Sequence, residues 1–339
     1  MLIASIYGGG SWVNYGWELF EHVIDARAAS MGNATTAYYF KSPTTSLRNP
    51  IFSTLSLKEI NLTHQSRFAG IVNSDLVSFQ LDRNSHSLQF NFLYEGVGQI
   101  PDTRFMLLDW GNDGQFGTND FGEGNGVLDE GERLDIEKIK YFSQHQIAMH
   151  CATVKSFKNL PFGFGIKLLS NRMNNHSALG IGFDIGLLRK VKGIDFGAVV
   201  RNFPASGLIW DNGTIENSIS SASVGAHHVS NINIIKHFVI HSMINFDVGV
   251  SNRHLDSHFR SGSLSIDTSF GFEGIYKDRL FFRLGRNNLN SATGGLGIKW
   301  KNHGIDYAFL TSNFGDGLGS HHLISLNLSL DWLLAKIYR

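Results

Sequence analysis

Alternation of apolar and polar side chains with a period of two runs through most of this chain and removes most folds from consideration, because only an extended strand sends successive side chains to opposite faces. Val77, Phe79 and Leu81 alternate with Ser78, Gln80 and Asp82, and after a polar turn Leu88, Phe90, Phe92 and Tyr94 alternate with Gln89, Asn91 and Glu95. These two runs predict a hairpin. Phe162, Phe164, Ile166 and Leu168 likewise oppose Gly163, Gly165 and Lys167, while Leu179, Ile181, Phe183, Ile185 and Leu187 oppose Gly182, Asp184 and Gly186. The last run sets Ile324, Leu326, Leu328, Leu330 and Trp332 against Ser325, Asn327, Ser329 and Asp331. About fourteen such segments follow residue 50, many close to the roughly 9–11 residues that a tilted strand needs to cross a bilayer.

A soluble sandwich alternates too, but its strands are shorter, about 5–6 residues, and its outer face is rich in charge. Here charged residues make up only 17% of the chain, whereas Gly numbers 37 and Phe 26. One face carries Phe, Leu and Ile; the other carries Gly, Ser, Asn and Asp, small enough to line the inside of a closed barrel. The expected fold is therefore all-β, a transmembrane outer-membrane barrel of about 14 antiparallel strands. The even-numbered connections are short, with a somewhat longer one near 229–236, and the odd-numbered ones, including 64–74, 97–143, 201–218, 250–263 and 311–321, are longer or more irregular. That asymmetry is typical of outer-membrane barrels and, with an even strand count, predicts both termini on the periplasmic side of a diderm bacterium. Residues 1–50 are expected to form an N-terminal plug segment and residues 51–339 the barrel, with an acidic extracellular insertion at 97–143. The opening "MLIASIYGGG" reads as the remainder of a secretory signal.

Lys plus Arg equals Asp plus Glu at 29 each, so no basic field argues for nucleic acid. One cysteine, Cys151, excludes an internal disulfide framework. No phosphate-binding loop and no nucleophile elbow occurs, and no enzymatic activity is expected.

Residues 24–40, "IDARAASMGNATTAYYF", are poor in large side chains. A barrel of this size is too wide to be filled by its own side chains, and a small-residue segment can enter the lumen and pack against wall glycines. Ala26, Arg27, Ala28, Ala29, Gly32, Asn49 and Pro50 are the expected plug residues. Alternation turns Asp82, Glu95, Asp184, Asp247, Asp267, Glu273 and Asp331 toward the lumen, with Lys167, Arg283 and Lys299. Pairing among these charges and with the plug is their expected role.

The insertion holds two adjoining twelve-residue registers with glycine at position 6. "DWGNDGQFGTND" places Asp109, Asp113 and Asp120 at positions 1, 5 and 12, and "FGEGNGVLDEGE" places Glu123, Asn125, Asp129 and Glu132 at 3, 5, 9 and 12. Oxygen ligands on flexible backbone suit Ca²⁺, the one cofactor expected; the alternative is a solvated acidic loop.

"DARAASMGNATTA", "LRNPIF" at 47–52 and the stretch 276–310 together resemble the PorV/PorQ outer-membrane proteins, a branch of the group typified by FadL-type transporters. The sequence departs from the family's Asn-Pro-Ala-Gly turn, having Asn49, Pro50, Ile51 and Phe52. The resemblance implies a carrier or interaction protein in type IX secretion and surface attachment, whose partners are membrane lipid, secreted cargo with a C-terminal β-domain and components of the secretion system. The FadL-like relatives imply the alternative, a transporter of hydrophobic small molecules.

Overall fold

The computed structural model describes residues 17–54, 57–83, 86–232, 234–250, 257–311 and 320–337. Within them fourteen antiparallel strands close into one barrel. The strands are β1 (Glu59–Arg67), β2 (Val72–Arg83), β3 (His86–Asp102), β4 (Lys140–Phe157), β5 (Leu160–Met173), β6 (His176–Val191) and β7 (Ile194–Trp210), followed by β8 (Ile215–Asn231), β9 (Phe238–Val250), β10 (Leu264–Tyr276), β11 (Leu280–Arg286), β12 (Ala292–Lys299), β13 (His303–Leu310) and β14 (His321–Ser329). Each pairs with its neighbours in sequence, and β1 pairs with β14, Leu62 opposite Leu326, so no edge is left exposed. A short strand at Phe259–Ser261 adds to β10, and Leu107–Leu108 pairs with Arg133–Leu134 inside the insertion.

The pleat sorts the two faces as the alternation predicts. Leu62, Val77, Phe92, Met149, Leu168 and Ile181 are consecutive cross-strand partners around β1 to β6 and point outward. Phe246, Phe270, Phe282, Leu296, Ile305 and Ile324 continue that apolar belt on β9 to β14. So large an exposed apolar surface is tolerable only against lipid. The inward row next to it, Asn61, Ser78, Asn91, His150 and Lys167, is buried.

Three expectations are corrected. The connections at 64–74 and 201–218 are not long loops: strands continue through them to tight turns at 68–71 and 211–214. Several strands reach 16–18 residues, longer than a bilayer requires, and their ladders extend beyond the apolar belt. The last alternating run does not stay extended. β14 ends at Ser329, opposite Glu59, the first residue of β1, and the chain then turns into helix Leu330–Ile337. Beyond Ser329 no neighbouring strand remains to pair, so the backbone satisfies itself by helix formation. Asp331 consequently does not face the lumen but pairs with exposed Lys58 at 3.3 Å. The expected secretory remnant at 1–10 and parts of the connections at 250–263 and 311–321 lie outside the described residues.

Candidate functional site: the lumen and its cavity

Residues 17–54 run inside the barrel as short helices and turns. Helix α1 (Leu19–His22) is followed by α2 (Ala26–Ser30), which Asp25 caps by accepting the Ala28 N–H at 2.6 Å. Two 3₁₀ turns, Pro43–Leu47 and Pro50–Thr54, complete the segment. Trp17, Leu19, Phe20, Val23 and Leu47 bury themselves against inward-facing Leu76, Leu93, Ala148, Leu169 and Leu208. Ile24, Ala26 and Ala29 do the same against Ala308, Leu310 and Leu323. These inward leucines were missed in reading the sequence. Their signal is an apolar doublet that breaks the alternation, as at Leu76-Val77, Phe92-Leu93 and Leu168-Leu169, where one member serves the lipid and the other the lumen.

Small residues allow backbone to approach backbone. A Cβ at Gly32 would sit 2.3 Å from the Arg286 carbonyl oxygen, and Gly32 has φ +62°, a conformation costly for any other residue. From the wall side, a Cβ at Gly197 would meet the Thr36 carbonyl at 2.3 Å, and one at Gly163 would meet the Ile51 nitrogen at 2.0 Å. Ala26 N–H donates to Ser325 Oγ at 2.8 Å, and Ala28 and Ala29 are buried in the adjoining apolar clusters. Asn49 donates to the carbonyls of Thr36 and Leu187, and Pro50 lies against Gly165 and Gly186 of the wall.

An ion-pair network fixes this segment. Arg27 grips Glu273 of β10 with two hydrogen bonds of 2.8 Å, Arg283 Nε donates to the same carboxylate at 2.6 Å, and the Tyr38 hydroxyl donates at 2.5 Å. Arg283 also reaches Asp306 at 2.7 Å. Burial, reinforced by the Glu273 charge, pushes the Tyr38 phenol far above its usual range, so it stays a donor. Of the other inward charges, Lys167 pairs with Asp184 at 2.8 Å, Glu95 with Arg67, and Lys299 with Glu59 at 2.8 Å; Asp247 accepts from Ser223. Asp82 accepts from Gln80 and Ser87, and Asp267 from the His258 N–H at 3.1 Å.

The segment leaves little room at the short-turn end, where a void of about 30 Å³ remains beside Arg27 and Asp306. Toward the long-loop end it floors a cavity of about 820 Å³, bounded by Trp17, Arg48, Arg67, Glu95, Arg201 and Asp247 among others. The wall is irregular there. Residues 182–184 of β6 lie opposite residues 201–206 of β7, so the extra length of β7 arches out of the ladder. Asn202 anchors the arch: its side chain accepts from Lys167 at 2.9 Å and donates to Ser218 at 3.3 Å, and its N–H donates to Asp184 at 3.0 Å.

The acidic insertion forms a separate knot held by side chain to backbone bonds. Asp109 accepts from the N–H groups of Gly124 and Gly126 at 2.8 and 2.7 Å, Glu132 from Gly111 and Asp129, both at 2.9 Å, and Asp120 from Asp113 at 2.7 Å. Glu123 accepts from Gly117 and Asn119; Asn125 donates to Asp129 at 2.6 Å. The Gly126 bond, with that of Gly124, holds the Asp109 carboxyl below its usual range. All seven residues expected as metal ligands thus share one knot, in which the six carboxylates are turned onto amides and the Asn125 side-chain oxygen accepts from the Val127 N–H. Among the described residues no group of three or more His, Cys, Asp or Glu is arranged to hold a metal.

No family model and no curated protein matches the sequence. Among solved structures, the chain is similar to the Pseudomonas putida toluene transporter TodX, at 11% identity and a TM-score of 0.55, over 90% of this chain and 98% of that one. A Pseudomonas aeruginosa FadL homologue aligns over 91% of this chain and 98% of its own at 12% identity and a TM-score of 0.45. The fold is accordingly that of a bacterial outer-membrane barrel, similar to TodX, with fourteen antiparallel strands.

Proposed function

We propose that the protein is a FadL-like outer-membrane transport barrel, which admits a small molecule with an apolar portion through the cavity at the long-loop, extracellular end. The cavity of about 820 Å³ carries this reading: it lies above a segment that fills the lumen and beside the one arched stretch of β7, and its size suits a ligand of drug-like dimensions. The fold shared with a toluene transporter supports it. Both termini then lie on the periplasmic side. The test is entry of an apolar fluorescent dye into diderm cells expressing the barrel. Dye should enter severalfold faster than in cells expressing an unrelated barrel of equal abundance; equal rates would end the reading.

A second reading, a PorV/PorQ-like carrier in type IX secretion, is favoured by the insertion. The insertion exposes Phe116 and Phe121 of the knot and Ile136 beyond it to 80%, 86% and 74%, a surface suited to docking secreted cargo with a C-terminal β-domain. On this reading Ca²⁺ recruits Asp109, Asp113, Asp120, Asp129 and Glu132, with Glu123 and Asn125, away from the amides they now cap and stiffens the loop. Extracellular calcium modules bind at about 10⁻⁴–10⁻³ M. Millimolar Ca²⁺ should therefore slow proteolysis within residues 109–132 relative to chelator; equal cleavage would leave a solvated acidic loop.

A further inference from the structure

Six hairpins close the short-turn end of the barrel, and five of them repeat one turn. An apolar residue is followed by Lys and then by Asn, Gly, His or Asp: Phe157-Lys158-Asn159, Val191-Lys192-Gly193, Ile235-Lys236-His237, Tyr276-Lys277-Asp278 and Trp300-Lys301-Asn302. All five lysines are exposed, and none enters an ion pair among the described residues. Acidic residues at this end are already engaged, Asp195 by Lys190 and His227, Glu59 by Lys299 and Asp331 by Lys58. Because the whole chain has no net charge, the ring is a local excess.

Lysine is not what such turns call for. Lys158, Lys192 and Lys277 have φ of +48°, +49° and +54°, a left-handed backbone that tight hairpins demand and that Asn, Asp or Gly adopts at less cost. Lys158 and Lys277 lie over the rings of Phe157 and Tyr276, at 5.6 and 5.0 Å. Phe157, Val191, Tyr276 and Trp300 share the parity of outward-facing Met149, Phe183, Phe270 and Leu296, so each holds the last lipid-facing position before its turn, and the lysine follows one residue farther along. Apolar or aromatic residues at the membrane boundary, with ammonium groups just beyond them, meet the layer of lipid headgroups. The C-terminal helix lies at the same end: Trp332 packs on His303, beside the Lys301 turn, at 4.3 Å, while Leu334 and Ile337 are exposed.

We propose that the five turn lysines form a ring that selects phospholipids with anionic headgroups in the leaflet at the short-turn end, the periplasmic leaflet in the orientation proposed above. Two features favour lipid over an acidic protein as the partner. The ring runs from the β4–β5 turn round to the β12–β13 turn, a path that surrounding lipid follows and a protein docked on one side does not. The residue before the lysine at four of the turns also faces hydrocarbon, so cation and apolar side chain match the two halves of an amphiphile. Lysine close to an anionic bilayer surface gains an attraction that salt screens. The ring acts whatever the lumen carries.

Native mass spectrometry on the purified full-length barrel in detergent, titrated separately with phosphatidylglycerol and phosphatidylcholine of the same acyl chains, measures the preference. Phosphatidylglycerol should bind about tenfold more tightly at low ionic strength, and raising the volatile salt should shrink the difference. The variant Lys158→Asn, Lys192→Asn, Lys277→Asn puts a residue suited to left-handed backbone at each strained turn. It should unfold no lower than the wild type, yet lose at least about threefold of the preference; adding Lys236→Gln and Lys301→Gln should remove the rest. Arg at the same five positions should keep the preference. Equal affinity for the two lipids in the wild type, or an undiminished preference in the five-site variant, would overturn the proposal. So would retention of polyglutamate by the barrel in phosphatidylcholine discs without any preference for phosphatidylglycerol, which would assign the ring to an acidic protein.

Discussion

Glu273→Ala is expected to destabilise the folded barrel by about 3–5 kcal/mol, because it strands Arg27 and Arg283 as buried charges with their principal acceptor gone. One carboxylate takes hydrogen bonds from Arg27, Arg283 and Tyr38 and is itself fully buried, so no solvent can replace it. Removing the charges together should cost much less. The quadruple variant Arg27→Met, Glu273→Leu, Arg283→Met, Asp306→Asn, which also removes the carboxylate that Arg283 pairs with, is expected to recover most of the loss, since a well-packed apolar group often matches a buried ion pair. Reversible urea unfolding in detergent measures both. A loss below about 1 kcal/mol for Glu273→Ala would mean that the network is not formed as described.

The second large effect lies on the outer face. Phe183→Arg should cost about 2–4 kcal/mol in a bilayer, because a charge near the midplane faces hydrocarbon. Leu179→Arg, two repeats of the pleat nearer the long-loop end of β6, should cost only about 0–1 kcal/mol, the value for an interfacial position. Unfolding in lipid vesicles gives the comparison. Equal small costs at both positions would place the apolar belt in water rather than lipid.

What the sequence makes legible is whatever depends on near neighbours. The face a strand residue occupies follows from parity, so Phe164, Ile166 and Phe183 could be placed outward and Gly163, Lys167 and Asp184 inward. Small residues ahead of the first strand indicated close packing, and Gly32 lies where a side chain would strike the Arg286 carbonyl. Partnerships across hundreds of residues were not legible. Nothing local in "DARAAS" links Arg27 to Glu273, 246 residues away, nor does "LRNPIF" mark Arg48 as the neighbour of Arg201. The end of β14 was also hidden: the alternation continues through Trp332, and only the start of β1 at Glu59 decides where pairing stops. In the insertion, spacing brought the acidic residues into one knot but could not tell amide capping from metal ligation, since both call for convergent carboxylates.

The central claim is that residues 17–54 fill the lumen and floor the cavity. Thr36 and Gly225 test it most directly, because a Cβ at Gly225 would lie 3.2 Å from the Thr36 Cβ, a few tenths of an ångström short of the usual disulfide spacing of about 3.5–4.5 Å. In a Cys151→Ala background, Thr36→Cys with Gly225→Cys should oxidise in the folded barrel, and mass spectrometry should recover the peptide bearing position 36 linked to the peptide bearing position 225. The same chain oxidised after unfolding in urea should give little of that link. Two free thiols in the folded protein, both open to a bulky maleimide under mild oxidation, would place the segment outside the barrel and contradict the account.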